Sequence, residues 1–167
     1  EGDDTEIVIG NTYNGVPVKV IGEGAFYNYE NITKVTISNG ITEIDSYAFS
    51  SCSSLTSVTI PEGVTSIGAQ AFLGCTGLTS ITIPNSVTNI GNDAFRSCSS
   101  ITTVTIPNNV TSIGEGTFAD CSSLISVTIG NSVTSIGRLA FYRCSSIDTI
   151  HVEATTPPTV DVEAFLS

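Results

Sequence analysis

Five cysteines stand 23 residues apart, at Cys52, Cys75, Cys98, Cys121 and Cys144, and the chain of 167 residues has no others. Thiols at a fixed step could form a disulfide ladder, hold metal, or supply a nucleophile. Five is odd, so pairing cannot be complete, and stacked equivalents direct their side chains in parallel, which is poor disulfide geometry. A cysteine nucleophile needs a positioned base, and the single histidine, His151, falls in another part of the period. The expectation is a column of reduced, buried thiols, because free cysteine packs as a small apolar residue. His151 could in principle share a metal with Asp148 and Glu153. Asp148 is an odd number of residues away, however, and in a regular strand it faces the opposite side, so an exposed strand-end histidine is expected. There is no Ser-His-Asp order, phosphate loop or dinucleotide fingerprint. The chain reads as a non-enzyme with no cofactor and no metal.

The elements that position these residues follow the same ruler. Phe26, Phe49, Phe72, Phe95, Phe118 and Phe141 are 23 apart, and Phe165 comes 24 later. A period of this size marks a stacked-repeat architecture. Residues 55 to 77 show the unit. Leu55, Val58 and Ile60 alternate with Ser57 and Thr59, as in a strand with one buried face. Pro61-Glu62-Gly63 is a turn. Val64 to Ile67 is a second short extended piece, broken by Gly68. In the last piece Ile67, Ala71 and Cys75 are four apart, the spacing of one side of a helix, which predicts one or two turns of α- or 3₁₀-helix. Each coil thus turns inward a Leu/Ile, Val, Ile, Val, Ile, Ala, Phe and Cys. Stacking buries the flanks that one coil leaves open. The predicted organisation is a single repeat domain over 1–167, with an N-terminal cap and first coil over 1–31, regular repeats over 32–146 and an irregular C-terminal repeat over 147–167. Tyr29 takes the cysteine slot in the first coil, Asn14-Gly15 signals a tight turn, and Pro157-Pro158 disturbs the last coil.

Composition narrows the function classes. The net charge of −11, from 16 acidic and five basic residues, disfavours nucleic acid and anionic membrane surfaces, both of which attract basic patches. No apolar stretch of about 18 residues is present, so no membrane-spanning helix is expected. The opening Glu1-Gly2-Asp3-Asp4 lacks the basic and apolar regions of a signal peptide, as in a mature or trimmed chain.

The string Val64-Thr65-Ser66-Ile67-Gly68, Ala71-Phe72, Cys75-Thr76-Gly77-Leu78, Ile81-Thr82-Ile83-Pro84 resembles BspA-like leucine-rich repeats. The resemblance covers roughly residues 7 to 167, and Ala154 to Thr159 looks like the last repeats of such proteins. It implies a leucine-rich-repeat solenoid, a right-handed β/α superhelix that is mainly β, with a parallel sheet on its concave face. It also implies a surface-exposed or secreted protein of a host-associated organism. Family members with known roles are adhesins, so the implied partner is a protein or glycan on a host or neighbouring cell. The family carries no catalytic residues to transfer, and the chain reads as a monomer.

On such a sheet, outward residues form columns. One is Lys34, Ser57, Ser80, Thr103, Ser126, Thr149; the next is Thr36, Thr59, Thr82, Thr105, Thr128, His151. The central face is hydroxyl-rich and lacks the Tyr, Trp and Arg anchors typical of recognition sites. Anchor-type residues flank the Ala-Phe turns instead. The candidate partner-binding residues are Lys34, Arg96, Arg138, Tyr142, Arg143 and His151, with the Arg138, Tyr142, Arg143 cluster foremost. The alternative is a structural spacer that displays another domain, since near-identical coils carry little recognition information.

Overall fold

The structure, a computed structural model, describes residues 5–166. Its strands, in chain order, are β1 (Glu6–Ile9), β2 (Thr12–Tyr13), β3 (Val16–Pro17), β4 (Val20–Ile21), β5 (Lys34–Ile37), β6 (Glu43–Ile44), β7 (Ser57–Thr59) and β8 (Ser66–Ile67). They continue as β9 (Asn89–Ile90), β10 (Thr103–Ile106), β11 (Ser112–Ile113), β12 (Ser126–Ile129), β13 (Ser135–Ile136), β14 (Thr149–Val152) and β15 (Thr159–Val160). Both extended pieces of the coil form parallel ladders. The first gives sheets β1-β5-β7 and β10-β12-β14; the second gives β4-β6-β8-β9 and β11-β13-β15. β2 and β3 form an antiparallel hairpin across Asn14 and Gly15, both at positive φ, as the hairpin turn signal requires.

The inward residues are those the alternation selects. Leu55, Val58, Ile60, Val64, Ile67, Ala71, Phe72 and Cys75 are all buried, as are their equivalents through the middle coils. One exception is Thr117, which fills the alanine slot and is buried with its hydroxyl donating to the Gly114 carbonyl at 3.0 Å. The phenylalanine rings stack in one column from Phe26 to Phe165, with centroids 5.1 to 5.6 Å apart and interplanar angles of 9° or less. Tyr29 meets Phe26 edge-on at 6.3 Å and closes the N-terminal end of that column.

The predicted helical turns do not form; among the described residues there is no helix. The Ala-Phe piece is a ribbon of successive tight turns. Ala71, Leu73 and Cys75 donate to the carbonyls of Gly68, Gln70 and Phe72 three residues back. The alternate N–H groups of Gln70, Phe72 and Gly74 donate to Asn92, Ala94 and Arg96 of the next coil, at 2.8 to 2.9 Å. A helix would need every one of these donors for its own carbonyls, so pairing with the neighbouring coil wins over local winding. The ribbon places Gln70 and Gly74 at positive φ, and Tyr47, Ser51, Asp93 and Ser97 repeat this. Just before the strands the donation runs the other way: Thr56 N–H reaches the Thr33 carbonyl, and Thr65 N–H the Thr42 carbonyl, both at 2.8 Å.

The outward columns form in two parts. Lys34 pairs with Ser57, and Thr103, Ser126 and Thr149 are in register, as are Thr105, Thr128 and His151. Ser80 and Thr82 pair with neither side. The interruption coincides with three successive prolines. Gly130 and Glu153 donate to the carbonyls of Ile106 and Ile129, 24 residues earlier. Pro61, Pro84 and Pro107 occupy the same slot and have no N–H to give. At Pro61 the pairing shortens to three residue pairs, and in the coil of Pro84 it is lost on both sides.

Candidate functional site

The five thiols are free and buried, and each has a defined partner. Cys52, Cys75, Cys98, Cys121 and Cys144 donate S–H to the carbonyls of Phe26, Phe49, Phe72, Phe95 and Phe118, at 3.0 to 3.2 Å. The Phe49, Phe72, Phe95 and Phe118 carbonyls also accept the N–H of the cysteine in their own coil, and the Phe26 carbonyl accepts that of Tyr29. Burial pushes the Cys98 thiol up to about 12 and raises Cys75 well above the ordinary range. A thiol held protonated is neither a nucleophile nor a metal ligand. Among the described residues, no group of three or more His, Cys, Asp or Glu is placed to hold a metal ion.

The candidate partner-binding residues separate into two kinds. Lys34 is paired with Glu6 at 3.3 Å. Arg96 bridges Asp93 and Asp120 at 3.3 and 3.4 Å. Arg138 bridges Glu115 and Glu163 at 3.1 and 2.9 Å, and the hydrogen bond it donates to Glu115 raises its pKa. These three cations tie neighbouring coils together. Arg143 is in no ion pair among the described residues. Its guanidinium carbon lies 5.0 Å from the Tyr142 ring centroid, a cation–π distance. The Arg143 N–H donates to the Leu166 carbonyl at 2.7 Å, and Phe165 and Leu166 are exposed beside it. Tyr142 and Arg143 thus stand together, with Arg138 held apart by its acids. His151 is exposed on β14, opposite Thr128.

The Arg138–Glu115 ion pair was legible in the period, because Glu115 sits one full step before Arg138. The hydroxyl ladders carried a weaker signal. Thr56 Oγ1 donates to the Thr33 carbonyl, and Thr42, Thr65 and Thr88 form a similar series reaching back to Lys19.

Two in-register parallel ladders, an aromatic column and turn ribbons instead of helices define a leucine-rich-repeat β-solenoid. Residues 19–148 match the BspA type leucine rich repeat region in six copies, and the chain belongs to that family. The structure is similar to a T. pallidum leucine-rich-repeat protein, with a TM-score of 0.88 and 31% identity over 91% of this chain and 72% of that one. It is also similar to a leucine-rich cell surface protein of Faecalibacterium prausnitzii A2-165, with a TM-score of 0.79 and 37% identity over 96% of this chain. A leucine-rich-repeat protein of Bacteroides ovatus ATCC 8483 matches at a TM-score of 0.67 and 26% identity over 96% of this chain. The chain spans 50% and 49% of the length of the latter two. No curated protein matches it. The repeat fold is generally non-enzymatic and suited to protein interaction. Among the described residues no helix is long and apolar enough to cross a membrane.

Proposed function

We propose that the chain is a non-catalytic interaction module at a cell surface, and that it engages a protein partner through the Tyr142–Arg143 edge. The observation that carries this reading is exposed Arg143, in no ion pair among the described residues, over Tyr142 and next to exposed Phe165 and Leu166. Tyrosine and arginine beside apolar surface have the composition of an interaction hot spot. The cell-surface description of the Faecalibacterium relative supports the location, and the family's adhesins support an adhesive role. Lys34, Arg96 and Arg138 serve chiefly as inter-coil ties, and His151 adds a rim position.

The test is binding of the immobilised chain to a panel of extracellular-matrix and cell-surface proteins. At least one partner should bind, and Arg143→Glu or Tyr142→Ala should each weaken it about tenfold or more. Arg138→Glu should act mainly through stability. Absence of binding across the panel would sink the reading and favour the spacer, which the plain Ser/Thr filling of the outward columns supports.

A further inference from the structure

Both ladders open at one coil interface. In the first, residues Ser80 to Ile83 exchange no backbone hydrogen bond with the coils on either side. In the second, β9 pairs with β8 and β11 with β13, but β9 and β11 do not pair. The hydroxyl ladder stops at the same place. Thr88 donates to Thr65 and Thr134 to Thr111, with no bond from Thr111 to Thr88.

Behind this opening the two coils stay in contact. The Phe95 and Phe118 rings stack at 5.4 Å. Asp93, Phe95 and Ser97 donate to Glu115, Thr117 and Ala119 at 2.8 to 2.9 Å. The Cys121 thiol reaches the Phe95 carbonyl at 3.2 Å. The result is a wedge, closed at the aromatic column and open at the sheet face. It forms a cleft of about 360 Å³ lined by Ser80, Thr82, Asn85, Thr103 and Thr105, with Ile81 and Ile83 as its floor. That volume falls within the range of small-ligand sites, about 300–1,000 Å³.

The lining selects a chemistry. Its polar side chains are hydroxyls and one amide, with no charge. The backbone N–H and C=O groups of Ser80 to Ile83 add donors and acceptors that lack a backbone partner among the described residues. An ion would leave its charge uncompensated there, and an apolar ligand would leave the amides unsatisfied. An extended peptide pairing on both sides would need about 4.8 Å to each neighbouring strand. The 5.4 Å ring stack behind the cleft holds the coils one spacing apart. A ligand whose hydroxyls each donate and accept answers a mixed array of donors and acceptors.

We propose that this cleft binds a neutral glycan, holding one or two sugar rings. The site lies in other coils than Tyr142 and Arg143 and stands or falls separately from the protein partner. The test presents an array of neutral and sialylated glycans to the labelled chain. It is followed by amide NMR titration with the strongest-binding neutral glycan. Neutral glycans should bind, and the shifts should concentrate at Ser80 to Ile83 and Thr103 to Thr105, leaving Val35 and Val127 in place. Thr82→Val combined with Thr105→Val, which keeps side-chain shape, should weaken binding about tenfold or more at unchanged melting temperature. No response from any neutral glycan, binding confined to sialylated ones, shifts mapping elsewhere, or full binding by the double variant would each overturn it.

Discussion

Burial holds the Cys98 proton up to about pH 12, against an ordinary value of 9.0. The unfolded chain gives up that proton nearer its ordinary value, so between these limits the folded chain binds more protons. Stability from this thiol is therefore complete below about pH 9 and declines as pH rises toward 12. Thermal unfolding measured from about pH 8 to 11 should show the decline, and Cys98→Ala should flatten part of it; an unchanged slope would remove Cys98 as a cause. The same burial governs reactivity. Ellman's reagent should label less than one thiol per native chain, and all five after denaturation. Cys144, the most exposed at 8%, should react first. Rapid native labelling of Cys75 or Cys98 would contradict the packing. These cysteines work as small donors to the Phe carbonyls, a role their spacing alone does not reveal.

The coil's elements show what sequence patterning reaches. Strand slots and core residues follow from strict alternation, because a residue two places along returns to the same face. The Ala-Phe piece was misread as helical because Ile67, Ala71 and Cys75 lie four apart in both a helix and this turn ribbon. What separates the two is the destination of alternate N–H groups, 22 residues onward, and local spacing carries no trace of it. The proximity of Tyr142 and Arg143 was legible in the sequence, whereas the sheet-face cleft was hidden in a column that looked uniform. The ribbon makes its own predictions. Gln70 has φ 57°, in a slot that Gly116 also fills. Gln70→Gly should be neutral or stabilising by up to about 1 kcal/mol, as read by guanidinium unfolding, and a clear loss would mean the side chain makes contacts that outweigh the strain. Phe95→Ala, in the middle of the ring column, should cost about 3–5 kcal/mol. A cost below about 1 kcal/mol would show that the column does not hold the coils together.

At the scale of the whole molecule, the stack consists of two laddered halves joined through the aromatic column. Stacked repeats owe their stability to nearest-neighbour interfaces, and the interface between the Phe95 and Phe118 coils lacks its strand pairing while keeping its rings, turn bonds and thiol bond. Opening at this point needs fewer broken hydrogen bonds than anywhere else in the middle of the array. Amides of Ser80 to Ile83 should therefore exchange with solvent far faster than those of Val35, Val104 or Val127, although Ile81 and Ile83 are only 7% exposed. Proline supplies the cause to be tested. Pro107→Ser restores an N–H in the slot from which Gly130 reaches the Ile106 carbonyl at 3.0 Å, and its partner would be the Ile83 carbonyl. This variant should slow exchange across residues 80–83, raise the melting temperature and narrow the cleft, lowering glycan affinity with it. Unchanged exchange in Pro107→Ser would place the cause of the break outside the proline slot. Slower exchange with undiminished glycan binding would separate the cleft's ligand from its open state.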